Sequence, residues 1–310
     1  PMTDFSHIPV IDIAALSGSD DAAIGRTVAE ITAACENAGF LYVAGHGVPA
    51  DSVAGVFDAA HWFFALPQAQ RDALDVARSP NFRGYVPMRI AGPGVPRRML
   101  EAFQMMLDLP ADDPDVLAGN FMYGPNVWPG QSGAFRAAME RYYADVWGLS
   151  ERLLGAFAIG LGLPRAHFLA DFTKPLTQLR LLHYPPQPAG EQALGVEAHT
   201  DTGAFTVLLQ DQSGGLEVRN RAGDWIAAPP IDGTFVINIG DMMQHWTGGR
   251  FVSTPHRVAN RSGRDRISVP FFANPDYAAK IRPLGQADGP LLDAGRHVEA
   301  AYVAAWPRTA

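Results

Sequence analysis

The stretch His199-Thr200-Asp201-Thr202-Gly203, answered far downstream by Pro255-His256-Arg257 and then by Arg266-Ile267-Ser268, decides how this chain is read. If His199 and Asp201 lie on a β-strand, their i, i+2 spacing puts both side chains on one face, because strand side chains alternate. A His, a carboxylate and a distant second His form a two-His-one-carboxylate set, which suits iron(II) and leaves coordination positions open. His256 is the expected third ligand, presented after Pro255 at the start of Arg257-Val258-Ala259. The metal set, and with it the catalytic set, is therefore His199, Asp201 and His256.

Spacing alone is a weak signal. With nine histidines and 32 acidic residues in 310 positions, about one His-x-Asp/Glu arises by chance. His297-Val298-Glu299 is such a case, but it sits in a segment from Ala294 to Ala305 that reads as a terminal helix, where i and i+2 do not share a face. Around His199 the strand-like pattern, the later His256 and the Arg266-x-Ser268 pair follow in order. Arg266 and Ser268 share a face of the strand expected over Ile267 to Phe272, and a guanidinium offers a planar fork that matches a carboxylate. A buried cation there calls for an anion.

These motifs carry a resemblance. His199-Thr200-Asp201-Thr202-Gly203, Asn238-Ile239-Gly240-Asp241, Gly249-Arg250-Phe251, Ser253-Thr254-Pro255-His256-Arg257-Val258 and Arg266-Ile267-Ser268-Val269-Pro270-Phe271-Phe272 resemble the isopenicillin N synthase-like branch of the iron(II)/2-oxoglutarate-dependent oxygenases. Ile8-Pro9-Val10-Ile11-Asp12, Gly39-Phe40-Leu41-Tyr42-Val43, Gly45-His46-Gly47-Val48 and Phe63-Phe64-Ala65-Leu66-Pro67 resemble the N-terminal part of the same family, so the likeness spans nearly the whole chain.

The resemblance implies a mainly β fold with flanking helices: a double-stranded β-helix, or jelly roll, behind a helical and mixed N-terminal portion. It implies Fe(II), 2-oxoglutarate as cosubstrate and O2, with Arg266, Ser268 and Tyr184 holding the distal carboxylate of 2-oxoglutarate. It further implies hydroxylation, desaturation or cyclisation of a small molecule, with release of succinate and carbon dioxide. The family's usual Asn two residues before the Tyr is Leu182 here. Relatives that oxidise substrate without 2-oxoglutarate keep the same Arg-x-Ser, so an oxidase or cyclase of this fold is an alternative; a non-catalytic jelly-roll binding protein is another.

Counting by twos puts Arg180 on the face of Tyr184, and Phe272 on the face of Ser268. Both are expected at the substrate, Phe272 as a wall and Arg180 as the partner of a substrate carboxylate or of a buried acid. His183 points the other way and is expected to be structural. His245 competes with His256 for the metal but lacks the family match.

Composition sets the remaining bounds. The chain is 47% hydrophobic and 18% charged, with a net charge of −8, which gives no electrostatic footprint for nucleic acid or anionic membrane. A small molecule is the expected partner, and no protein partner is implied. The single Cys35 excludes an internal disulfide. No basic segment followed by an apolar one opens the sequence, and no apolar run is long enough to span a bilayer, so the expectation is cytoplasmic.

Four parts are expected along the chain: 1–120, N-terminal and helical or mixed; 121–177, a long helix and connector; 178–285, the jelly roll; and 286–310, a C-terminal helix. Helices are expected over Ala22 to Asn37, Asp51 to Ala65, Pro67 to Val76 and Ala134 to Leu163 from apolar spacing and end signals. Gly214-Gly215, Ala222-Gly223-Asp224 and Gly248-Gly249 read as hairpin turns. The loop from Ser79 to Pro96, with Arg83, Arg89, Arg97 and Arg98 in or beside it, reads as a solvated surface or as a lid over an anionic substrate.

Overall fold

The computed structural model describes residues 4–88, 100–186 and 195–305. Twelve strands build the site's scaffold: β1 (Val10–Asp12), β2 (Phe40–Ala44), β3 (Gly84–Val86), β4 (Glu101–Met106), β5 (Gln178–Tyr184), β6 (Val196–His199), β7 (Phe205–Gln210), β8 (Leu216–Arg219), β9 (Trp225–Ala227), β10 (Phe235–Ile239), β11 (His256–Val258) and β12 (Arg266–Ala273). The helices are α1 (Asp21–Asn37), α2 (Ala50–Phe64), α3 (Gln68–Asp72), α4 (Pro114–Leu117), α5 (Gly133–Gly160), α6 (Asp241–Trp246) and α7 (Ala294–Ala305).

Eight strands form a major sheet in the order β1-β2-β10-β7-β12-β5-β4-β3, and four form a minor sheet, β6-β11-β8-β9. Apart from the parallel β1–β2 pair, the paired strands of both sheets run antiparallel. This is the jelly-roll architecture, with the first hundred residues contributing β1 to β3 to the major sheet.

Strand alternation gives the major sheet two unlike faces. The outer one carries Phe103, Leu179, Leu181, Phe205, Val207, Val269 and Phe271, all buried. Helices cover it: Phe63 of α2 lies 4.7 Å from the Phe103 ring, and on α5 Tyr143 lies 5.3 Å from Phe271 and Phe157 5.5 Å from Phe205. Each such aromatic contributes on the order of 2–3 kcal/mol through burial. Helix α5 ends where Gly162 turns with φ +77° and the Leu163 amide returns to the Ala158 carbonyl at 2.9 Å, as the Gly-x-Pro signal predicts.

Several expectations are corrected. The helix expected over Pro67 to Val76 stops at Asp72, and Asp75 instead bridges to Tyr85. Gly214-Gly215 is no hairpin, because β7 and β8 belong to different sheets; the pair, with φ of +72° and +95°, carries the chain from one sheet to the other. Gly248-Gly249 is a helix end, with the Gly249 amide returning to Gln244 of α6 at 2.8 Å. Only Ala222-Gly223-Asp224 joins paired strands, β8 and β9.

Arg83 is neither solvated nor a lid residue. It is fully buried, donating to the Asn81, Met122 and Leu107 carbonyls at 2.9–3.0 Å and to Asn126 Oδ1 at 3.0 Å. Arg89, Arg97 and Arg98 lie outside the described residues. Among the described residues no helix is long and apolar enough to cross a membrane.

Candidate metal centre and anion clamp

His199 closes β6 and His256 opens β11, and the two are direct cross-strand partners. Their rings lie 4.3 Å apart between centroids. The third member arrives differently from the expectation. Strand β6 ends at His199, so Asp201 lies beyond it in a turn, and strand alternation does not aim its carboxylate. Hydrogen bonds do: Thr206 Oγ1 donates to Asp201 Oδ2 at 2.6 Å and Asn238 Nδ2 donates to the same oxygen at 2.7 Å.

The turn is held by the start of α6. The Asp241 amide donates to the Asp201 carbonyl at 2.7 Å, and Thr200 Oγ1 donates to Asp241 Oδ2 at 3.0 Å. Gly203 is required here, because a Cβ on it would stand 2.0 Å from Asn274 Oδ1, which accepts the Ala204 amide.

Oδ1 of Asp201 is left facing the rings, 3.6 Å from His199 Nε2 and 3.8 Å from His256 Nε2. Both imidazoles donate backwards, His199 Nδ1 to the Glu197 carbonyl at 2.8 Å and His256 Nδ1 to the Thr254 carbonyl at 3.2 Å. A carbonyl only accepts, so each Nδ1 carries the hydrogen and each Nε2 presents its lone pair. One ligand atom from each residue lies within 4.8 Å of the others, the geometry of a site that can hold a metal ion.

Burial opposes a charge on Asp201, but the His256 and His199 rings and the Thr206 hydroxyl outweigh it and hold the carboxyl well below the usual range. Burial pushes His256 below the usual imidazole value, which favours the neutral, ligating form. Burial acts in the same direction on His199, but there Asp201 outweighs it and raises the group. His245 is elsewhere, its Nε2 3.1 Å from the Pro290 carbonyl.

Register places the clamp on the same face. Thr206 pairs with Phe272 and Asn238 pairs with Thr206, so all three point inward with the Asp201 partners. Arg266, Ser268 and Phe272 alternate on β12 and therefore share that face, and Tyr184 and Leu182 stand opposite Arg266 and Ser268 on β5. Arg180 follows by the same alternation, opposite Gln104. The sequence reading put Arg180 and Leu182 on the face of Tyr184, and Phe272 on the face of Ser268, and the register of β5 with β12 is consistent with both.

Arg266 is 1% exposed. Its Nε donates to the Gly214 carbonyl at 2.6 Å, Nη1 donates to Ser268 Oγ at 3.1 Å, and the guanidinium lies 4.7 Å over the Tyr184 ring. Its Nη2 is buried with no hydrogen-bond partner among the described residues. A buried donor of this kind costs about 1–3 kcal/mol unless a ligand satisfies it, and a carboxylate oxygen is the fitting acceptor. The donor sets thus suit both an iron(II) ion and a dicarboxylate.

Three residues of the site were not singled out as functional from sequence. Thr206 and Asn238 orient the carboxylate, and Asn260 donates to the Tyr184, Pro185 and Arg264 carbonyls at 3.3, 3.3 and 2.8 Å, tying the end of β5 to the approach to β12. The usable signal was a lone polar residue in an apolar strand, as in Phe235-Val236-Ile237-Asn238-Ile239.

Residues 175–275 match the 2OG-Fe(II) oxygenase superfamily, and residues 8–131 match the N-terminal region of non-haem dioxygenases described from morphine synthesis. The 2-oxoglutarate-dependent dioxygenase citB of Monascus ruber is 38% identical over 292 residues, covering 90% of this chain and 88% of its own. The chain belongs to the 2OG-Fe(II) oxygenase superfamily.

Solved structures agree with this oxygenase in fold. A putative 2OG-Fe(II) oxygenase family protein of Caulobacter crescentus superposes with a TM-score of 0.85 at 29% identity, covering 97% of this chain and all of that one (100%). Full-length Neurospora crassa T7H, solved with alpha-KG and 5-formyluracil, superposes with a TM-score of 0.82 at 25% identity, covering 96% of each chain. This protein is accordingly an iron(II)- and 2-oxoglutarate-dependent oxygenase.

Proposed function

We propose that His199, Asp201 and His256 hold the iron of this oxygenase, that Arg266, Ser268 and Tyr184 hold the distal carboxylate of 2-oxoglutarate, and that a small-molecule substrate is oxidised against Phe272 and Arg180. The observation that carries the reading is one inward face on which three ligand atoms converge while the buried Arg266 Nη2 lacks a partner.

Iron and 2-oxoglutarate together supply oxidation of the substrate by dioxygen, one oxygen atom going to succinate as carbon dioxide leaves. The chain's share is positioning and exclusion of water. Thr206 and Asn238 donate to Oδ2 of Asp201, which favours the carboxylate and leaves Oδ1 facing the metal position. Tyr184 gives Arg266 an aromatic face in place of water, and Gly214 and Ser268 engage two of its three nitrogens, leaving Nη2 for the cosubstrate.

Phe272 stands beside Thr206 in register, next to the carboxylate's partner, which supports a wall at the reacting end of the substrate. Gln178 lies opposite Phe272 on the same face with its Nε2 buried and unpartnered among the described residues, a donor suited to a substrate oxygen.

Anaerobic titration with Fe(II) followed by 2-oxoglutarate tests the proposal. A visible charge-transfer band on the second addition is expected, absent in His256→Ala and weakened in Arg266→Met. A screen of amino acids, small peptides and aromatic metabolites for stimulated succinate release then finds the substrate class. Oxygen uptake that proceeds without 2-oxoglutarate would overturn the clamp assignment in favour of an oxidase.

A further inference from the structure

The outer face of the major sheet is apolar except for one polar knot lying directly behind the clamp. His183 sits on β5 between Leu182 and Tyr184, and its cross-strand partner on β12 is Ile267, between Arg266 and Ser268. On its other side it faces Glu101 of β4, 3% exposed. Glu101 Oε1 lies 2.8 Å from His183 Nδ1, and Asp265 Oδ1 lies 2.7 Å from Nε2. The Phe64 ring of α2 packs on the imidazole at 5.0 Å. Arg71 of α3 and Tyr85 of β3 reach His183 only through the other oxygen of Glu101.

A neutral imidazole has one N–H, so it can satisfy one of these two carboxylates and must turn a lone pair on the other. The imidazolium donates to both. We propose that His183 is a positioning residue for the cosubstrate clamp: as an imidazolium it ties Asp265, at the first turn into β12, to β5 and β4, and loss of its proton releases that tie and weakens 2-oxoglutarate binding. The proposal rests on the reading that Arg266, Ser268 and Tyr184 hold 2-oxoglutarate.

Three features support it. Asp265 adjoins Arg266, and Tyr184 adjoins His183, so each half of the bridge is one peptide from a clamp residue. The Asp265 side chain is 65% exposed, so this half of the bridge opens first when the charge is lost. Burial alone would lower the imidazole's proton affinity, yet the hydrogen bonds to Glu101 and Asp265 outweigh it and raise the group above the ordinary histidine value. His183 is remote in sequence from His199, Asp201 and His256 and has no contact with them, so its titration is separable from theirs.

The test is the affinity for 2-oxoglutarate of the full chain saturated with Mn(II), titrated from about pH 6 to about pH 9, with metal occupancy checked at each point. Wild type is expected to lose roughly fivefold in affinity over that range, the scale of one half-exposed charged hydrogen bond. His183→Gln is expected to bind at the wild-type high-pH level throughout, with KM for 2-oxoglutarate raised and kcat at saturating cosubstrate unchanged.

Asp265→Asn, at an exposed site that threatens folding less, is expected to flatten the profile in the same way. A wild-type slope retained in both variants, or a fall in kcat with KM unchanged, overturns the proposal. Arg266→Met separates the two readings. If it binds 2-oxoglutarate like wild type, the clamp assignment falls; if it loses binding while both bridge variants behave as wild type, only the His183 tie falls.

Discussion

The two faces of β5 and β12 are made of alternate residues of the same strands, yet they do unlike work. Inward, Tyr184, Arg266 and Ser268 form a polar cluster with a donor left open, a local cost to stability. Outward, Leu179, Leu181, Val269 and Phe271 are buried under α2 and α5 and repay that cost. Stability and function are thus separated by one residue of register, because a slip by one would exchange the faces. His183 is the exception, a titratable group on the apolar face, and it stands behind the clamp.

That separation can be broken or sharpened by substitution. His256→Ala should abolish stoichiometric Fe(II) binding in anaerobic titration, since two of three donors remain without the one that β11 supplies. Phe271→Ala, on the outer face, should cost about 3–5 kcal/mol in urea unfolding and leave the cosubstrate affinity of the folded fraction intact. Arg266→Met, five positions away along the same strand, should do the reverse, raising the Kd for 2-oxoglutarate about 100-fold with a smaller loss of stability than Phe271→Ala. Equal losses of stability in the two variants would dissolve the distinction between faces.

Smaller effects sharpen it. Asn238→Ala removes one of two donors to Asp201 Oδ2 and should weaken iron binding by about 10- to 100-fold without altering 2-oxoglutarate binding to the metal-loaded protein. The His183–Glu101 pair should give a pH signature in unfolding of the metal-free chain. Burial would raise Glu101, but His183, Tyr85 and Arg71 outweigh it and lower the group, so its contribution is present above the unfolded carboxylate value and fades as pH falls through the folded one.

His183 is raised, so its contribution is complete below the unfolded imidazole value and fades as pH rises through the folded one. The stability difference between wild type and His183→Gln should therefore peak between about pH 4.5 and about pH 6.5 and shrink towards pH 9. A difference that grows with pH would show that the imidazole is neutral in the folded chain.

Much of this was legible in the linear order. Period-two patterning of Arg266-Ile267-Ser268-Val269-Pro270-Phe271-Phe272 announced the inner and outer faces of β12, and the apolar spacing of α1 and α5 fixed those helices to within a few residues. Residue type and order pointed to His199, Asp201 and His256, whose ligand atoms lie within 4.8 Å of one another. Turn chemistry was less legible: Gly214-Gly215 and Gly248-Gly249 show the same left-handed backbone as a hairpin turn, and only their flanking partners reveal a sheet crossover and a helix end. Arg83 was misread for a similar reason, because two of the three carbonyls that satisfy it, those of Leu107 and Met122, come from segments remote in sequence.

By itself the sequence determined the chemistry and the alternation: which side chains can ligate a metal or an acid, and which residues of each strand share a face. Both follow from covalent structure and strand geometry, which are local. The tertiary structure decided the rest, since Asp201 lies past the end of its strand and is aimed by Thr206 and Asn238 from two other strands. It also set His183 between carboxylates from β4 and from the approach to β12. Hydrogen bonds between distant segments form only once the sheets have paired, so no local pattern encodes them.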